Sequence, residues 1–482
     1  MAFDNPVPIG TGATGTREET DAIGAIDVPA EHYWGAQTQR SLHHFDIGED
    51  RMPAALCRAY GLVKKAAALV NGEAGRLEPR LAAAIAAAAD EVASGDLDAE
   101  FPLRVWQSGS GTQTNMNVNE VIANRASQLL GGGLGTDRLV HPNDHVNLGQ
   151  STNDGFPTAM HLATILAVRD RTLPRLDALA DAVHAKAVRW AEVVKIGRTH
   201  LQDATPLTVG QEWSGWESQL RAAGARLDTA LAAVSELAAG GTAVGTGINA
   251  PEGFGEALAA RLADLTGQPL TTAPNKFAAI ASLDGMVAVS AGLRGAAVAL
   301  MKVANDMRWL ASGPRAGLHE LRLPENEPGS SIMPGKVNPT QQEAAVMVCL
   351  QVIGEDAIVA AAGSQGTFEL NTMRPIVIDN VLHSARILGD AAESLRVHSV
   401  EGTELDHERI AAHVDRSLML VTALSPHVGY DRAAAIAHRA DHEGTTLREA
   451  ALALGVDPDD FDRIVDPATM VGDPRRDLGL PG

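Results

Sequence analysis

Five stretches with helical periodicity fill the sequence between Pro157 and Arg396, and their length constrains the fold more than any other feature. They run from Pro157 to about Trp190, with Pro174 as a kink or boundary, and from about Thr208 to Ala239. The others run from about Phe277 to Ala311, Thr340 to Ala362 and Ile376 to Arg396. In the second, Trp213, Trp216, Leu220, Leu227, Leu231, Val234 and Ala238 follow three- and four-residue steps until Gly240 and Gly241 stop the pattern. A helix of about 32 residues is about 50 Å long, which exceeds the width of a small domain. The third stretch is nearly free of charge over its first half, and a helix apolar on most faces needs cover on most faces. Together these predict a helical bundle extended by other copies of the chain.

Composition agrees. Of the residues 45% are hydrophobic but only 4% aromatic, so the core must be built from Ala, Gly and aliphatic side chains on closely approaching helices. A length of 482 residues exceeds one core and predicts about three domains. Residues 1–149 read as a mixed, mostly helical domain of short helices and turns. Residues 150–404 read as the long-helix domain, and residues 405–482 as a small helical C-terminal domain. The net charge of −21 repels phosphate backbones and anionic lipid, so neither nucleic acid nor membrane is an expected partner. Two cysteines, Cys57 and Cys349, offer no disulfide framework and fit a reducing cytosol; Cys349 lies in an apolar run and reads as core. The N-terminal residues lack an apolar signal core. The best candidate span, GMVAVSAGLRGAAVALMKVA, is interrupted by Arg294, so the expected location is the cytoplasm.

Four segments carry more chemistry than packing requires. GSSIMPGKVNP, Gly329 to Pro339, sets two hydroxyls and one lysine among glycine and proline hinges; its bland reading is a surface loop opening the helix at Thr340. GRTHLQDATP contains Thr199 and His200, although a lone histidine is more often structural. SGSGTQTNMN, Ser108 to Asn117, is rich in glycine, hydroxyls and amides and opens a helix at about Asn115. Such a helix start binds carboxylates or serves only as an N-cap cluster. QSTND, Gln150 to Asp154, has the same character. Two motifs mislead. GTGATG has no preceding strand and no following helix pattern, and in HPNDH the metal pair His141 and His145 is opposed by Pro142, which disfavours the helix that would align them.

The segment GSSIMPGKVNP resembles the signature loop of the fumarase/aspartase superfamily. WGAQTQRS, SGSGTQTNMNVNEVIANRA, HPNDHVN, GRTHLQDATPLTVGQE, GGTAVGTGIN and FELN extend the likeness to class II fumarases, from about Ile26 to Gly472. The resemblance implies a mainly α, three-domain fumarase/aspartase-like fold whose central five-helix bundle assembles into a tetramer. It also implies reversible, cofactor-free and metal-free addition of water to fumarate through an aci-carboxylate. Ser330 then takes the place of the base that removes the C3 proton of malate, with Ser331 as the alternative. Lys336 and Asn338 bind the carboxylate whose charge grows, and His200 acts on the water side, directly or through a bound water, with Glu343 as its carboxylate partner. Ser110, Thr112, Asn115, Ser151, Thr152, Asn153 and Thr199 contact the dicarboxylate substrate. Each site combines the Thr112/Asn153 region, the His200 region and the signature loop from three subunits. Arg138, His141, Asn143 and Asp144 resemble a secondary dicarboxylate site; a turn-stabilising role is equally open for them.

The nearest rival, aspartate ammonia-lyase, shares GSSIMP and the threonine at Thr152, but typically has glutamine where His200 stands and alanine where Gly335 stands. His200 with PGKVNPTQQEA favours a water-adding enzyme. A catalytically inactive relative would be expected to lose Ser330, His200 or Lys336, and all three are present.

Overall fold

A computed structural model of the chain describes residues 7–480. It opens with an antiparallel hairpin, β1 (Thr16–Asp21) and β2 (Gly24–Pro29). Three substantial helices follow: α1 (Ala54–Glu73), α2 (Pro79–Ser94) and α3 (Thr112–Leu129). The first long helical run comprises α4 (Thr152–Ala167) and α5 (Leu173–Arg189). A second hairpin, β3 (Val194–Thr199) and β4 (Gln202–Thr208), leads into α6 (Val209–Ala230). The remaining long helices are α7 (Asp284–Leu310), α8 (Thr340–Gly363) and α9 (Arg374–Leu395). The C-terminal part consists of shorter helices, among them α10 (His407–Arg416) and α11 (Tyr430–Glu443).

All five long helical runs are therefore present, with shifted ends. The first begins at Thr152, five residues before Pro157, because Ser151 and Asp154 form a capping box there. Helical structure continues past Pro174, which is the second residue of α5, after a wider helical turn at Val168–Thr172. The second ends at Ala230, not Ala239. A tighter turn (Leu231–Val234) and a short strand (Glu236–Leu237) follow, yet Leu231, Val234 and Ala238 are fully buried. Apolar spacing reported burial there, and the backbone changed type beneath it. The third splits at an extended Ser282 into a short helix, Lys276–Ala281, and α7. The N-terminal third also departs from expectation, since α1, α2 and α3 contain 20, 16 and 18 residues where short helices were predicted.

The chain divides into two compact units. One comprises residues 7–173, 226–295 and 351–388; the other comprises residues 174–225, 296–350 and 389–480. In the first unit α1 packs on α2 and α4. The approach is close: a Cβ on Gly61 would sit 2.8 Å from the Ala89 carbonyl oxygen. In the second unit a Cβ on Gly210 would sit 2.6 Å from the Ala187 oxygen, and Trp190 meets Trp213 edge-on at 4.9 Å. The β3–β4 hairpin is anchored there by Ile196, which joins the core of Val414, Leu424, Ile436 and Phe461.

Helices α7 and α8 are long and apolar enough to cross a membrane by length and composition. Yet only 50% and 33% of their most apolar windows are buried within the chain. Val298, Met347, Leu350 and Ile358 are each more than 40% exposed.

Candidate active site

In the first unit the segment Ser108–Gly111 turns sharply into α3, which begins at Thr112, three residues before the expected start. Glycine is required at both of its glycine positions. A Cβ on Gly109 would lie 1.5 Å from the Thr372 oxygen. One on Gly111, whose φ is 79°, would lie 2.0 Å from the Phe156 ring. The turn lines up three hydroxyls: Ser108 Oγ is 2.9 Å from Ser110 Oγ, which is 2.8 Å from Thr112 Oγ1. One turn into α3, Asn115 Nδ2 donates to Thr152 Oγ1 at 3.0 Å. With its oxygen already accepting, the Thr152 hydroxyl is left to donate its own proton.

Next to Thr152, Ser151 Oγ caps α4 by accepting from the Asn153 amide, and Asn153 Nδ2 donates to the Ala243 oxygen at 2.8 Å. Asp154 is buried and accepts from the amides of Ser151, Gly240 and Thr242, so it ties the glycine-rich loop after Ala239 to the start of α4. Burial pushes the Asp154 carboxyl up despite these donors. Ser110, Thr112, Asn115, Ser151, Thr152 and Asn153 therefore share one unit, and Asn115 is bonded to Thr152.

Sequence reasoning missed two residues behind this cluster. Lys64 of α1 is fully buried and donates to Asn147 Oδ1 at 2.9 Å and Gln150 Oε1 at 3.0 Å. Burial lowers its ammonium to about 7, partly offset by Asp154. Arg374, also buried, donates to the Ile280 oxygen at 2.8 Å, and burial lowers its guanidinium to about 10. The available signal was a cation inside an apolar segment, GLVKKAAALV for Lys64.

The proposed secondary-site residues have structural partners. Arg138 Nη1 pairs with the buried Glu19 at 2.6 Å. His141 Nδ1 accepts from the amides of Asn143 and Asp144 and lies 3.2 Å from the Asp144 carboxylate. Residues Pro142–Val146 form one helical turn, contrary to the expectation that Pro142 would oppose a helix. Pro142 stands at its first position, where the missing N–H has no partner to lose. Among the described residues, no cluster of three or more His, Cys, Asp or Glu side chains is arranged to hold a metal.

In the second unit β3 delivers Thr199 and His200 to a tight turn in which His200 (φ 56°) and Leu201 (φ 59°) are left-handed. Non-glycine residues in that region carry strain. Both Thr199 and His200 face solvent in the single chain. The hairpin is braced from inside: Lys195, only 2% exposed at its side chain, pairs with Glu212 at 2.7 Å and Glu320 at 2.8 Å, and Arg198 pairs with Glu320 at 2.6 Å. Burial raises the Glu320 carboxyl, but Lys195 and Arg198 outweigh it and hold the group below its usual range.

The signature loop lies in the same unit and closes on itself. A Cβ on Gly329 would meet the Lys336 oxygen at 1.9 Å, and Asn338 Nδ2 donates to the Gly329 oxygen. Ser330 Oγ accepts from two main-chain amides, Ile332 N at 3.3 Å and Met333 N at 3.0 Å. Two donors on one hydroxyl oxygen favour its deprotonated form. Ser331, Lys336 and Glu343 are exposed. No hydrogen bond or ion pair among the described residues joins His200 to Glu343.

The family described as Lyase matches residues 24–354, and that described as Fumarase C C-terminus matches residues 420–472. A protein of Methanosarcina acetivorans named fumarate hydratase class II is 64% identical over 475 residues, 98% of each chain. One of the same name from Thermosynechococcus vestitus is 58% identical over 461 residues, 95% of this chain and 99% of the other. The crystal structure of recombinant class II fumarase from Schistosoma mansoni superposes with a TM-score of 0.93 at 45% identity, covering 95% of this chain and 99% of that one.

Proposed function

The chain belongs to the class II fumarate hydratase family, and we infer that it catalyses the reversible hydration of fumarate to L-malate. In the malate-to-fumarate direction Ser330 removes a C3 proton, and the electron pair moves into the adjacent carboxylate to give an aci-carboxylate. Lys336 and Asn338 stabilise the charge that grows there. His200 protonates the departing C2 hydroxyl, which leaves as water as the double bond forms. The hydroxyl and amide groups of Ser110, Thr112, Asn115, Ser151, Thr152, Asn153 and Thr199 hold the two carboxylates. The observation that carries the assignment of the base is the pair of amides donating to Ser330 Oγ, with no equivalent pair on Ser331.

The working form in this reading is a cytoplasmic homotetramer whose sites draw on three subunits, with the chain divided at 149/150 and 404/405. Support comes from the apolar residues that α7 and α8 leave exposed, a surface that self-association would cover. Further support comes from the exposed positions of His200, Lys336 and Glu343, which find no side-chain partners among the described residues. In this reading Arg138, His141, Asn143 and Asp144 form a secondary dicarboxylate site.

The test follows the ultraviolet absorbance of fumarate as chelator-treated protein meets L-malate, with L-aspartate in a parallel cell. Absorbance should rise with malate alone. A rise with aspartate alone would overturn the water-adding reading.

A further inference from the structure

Lys64 stands out as a buried cation that the reaction above does not use. It is fully buried on α1, and both of its acceptors are neutral amide oxygens. Among the described residues the carboxylate that acts on it is Asp154, without a hydrogen bond between them, and its ammonium lies 5.6 Å from the Tyr60 ring centre. An ammonium so placed is costly to desolvate, and an apolar side chain of similar length would fill the same space without that cost. Its two hydrogen bonds to neutral amides offset only part of that cost, so fold stability gives a weak reason for a lysine at this position.

Its partners supply one. Asn147 and Gln150 line an open cleft of about 440 Å³ together with Ser151. Asn147 Oδ1 accepts from Lys64 at 2.9 Å, from Asn119 at 3.2 Å and from Asn115 at 3.3 Å, so Lys64 makes the shortest of three bonds to one oxygen. The second N–H of Asn115 runs to Thr152 Oγ1. The path Lys64–Asn147–Asn115–Thr152 links a buried charge to a hydroxyl of the substrate cluster through three hydrogen bonds. Because three donors converge on Asn147 Oδ1, the path holds the Asn147 and Asn115 amides in one orientation.

We propose that Lys64 is a positioning residue for the dicarboxylate: it fixes the Asn147 and Gln150 amides and, through Asn115, aims the Thr152 hydroxyl proton at a substrate carboxylate. This rests on the assignment of Thr152 to the substrate site. In a protein of net charge −21 its protonated form also places a positive charge behind the wall that receives an anion.

The test compares Lys64→Met, Lys64→Gln, Thr152→Val and the Met/Val double variant in the assembled enzyme, reading KM and kcat for L-malate and the thermal midpoint. Lys64→Met should still fold, although Gln150 Oε1 loses its donor. Its KM should rise tenfold or more with a smaller change in kcat, and the double variant should fall short of the product of the single effects. A KM within twofold of the parent in Lys64→Met, while Thr152→Val raises KM, overturns the role of Lys64 alone. An unchanged KM in Thr152→Val overturns the site assignment beneath it. If Lys64→Met does not fold, Lys64→Gln is read by the same criterion. Failure of both to fold makes the lysine structural and overturns the proposal.

Discussion

Arg198 Nη2 lies 2.6 Å from Glu320 Oε1, two residues before His200 on the strand that delivers it. Glu320 also pairs with Lys195, so one buried carboxylate holds two cations of β3. Replacing it with glutamine removes the negative charge and leaves both cations underneath the His200 turn. Glu320→Gln should cost about 3–5 kcal/mol of stability, as breaking a buried ion pair does. It should also lower kcat, because the left-handed turn at His200 loses its brace. Thermal unfolding and malate kinetics check both; a stable variant of unchanged kcat would separate the network from the histidine.

Ser330 and Ser331 are adjacent, but only Ser330 Oγ carries two amide donors. Ser330→Ala should lower kcat by about 10²–10⁴, the usual contribution of a positioned base. Ser331→Ala should have a far smaller effect. Reversal of that order in steady-state kinetics would move the base to Ser331.

Gly111 has a φ of 79° and no room for a Cβ against Phe156. Gly111→Ala should destabilise by about 1–3 kcal/mol through overpacking, with added left-handed strain. Because this glycine shapes the turn between Ser110 and Thr112, KM for malate should rise as well. Unfolding curves and kinetics of the purified variant measure the two effects.

His161 is buried with its Nδ1 3.1 Å from the Glu236 oxygen, and burial lowers it to about 4. The unfolded chain thus binds more protons than the folded chain between about pH 6.5 and 4. Stability from this residue is complete above pH 6.5 and is lost as pH falls through that window, by on the order of 3 kcal/mol. Thermal midpoints across pH 4–7 should fall on the acid side. His161→Gln should flatten that slope; an unchanged slope would assign acid sensitivity elsewhere.

The long helices were legible because apolar side chains repeat at helical steps, but the same pattern misplaced the end of α6. Leu231, Val234 and Ala238 are buried outside a regular helix, and spacing alone does not distinguish those cases. Ser330 and its amide donors lie within four residues of sequence, and the glycines and prolines around them marked the loop. Lys64 and Glu320 were not legible. Their partners are 83 and 86 residues away for Lys64 and 122 residues away for the Arg198–Glu320 bond, and one charge in an apolar segment does not reveal what it faces.

The central claim is that separate segments of different chain copies complete one fumarate-hydrating site. It is tested most directly by mixing two inactive variants, one altered at Thr112 and Asn153 and the other Ser330→Ala, under conditions that exchange subunits. Malate-to-fumarate activity should appear in the mixture and in neither variant alone, because some sites then combine unaltered segments from both. A mixture that exchanges subunits and stays inactive, or a fully active monomer in sedimentation, would contradict the claim.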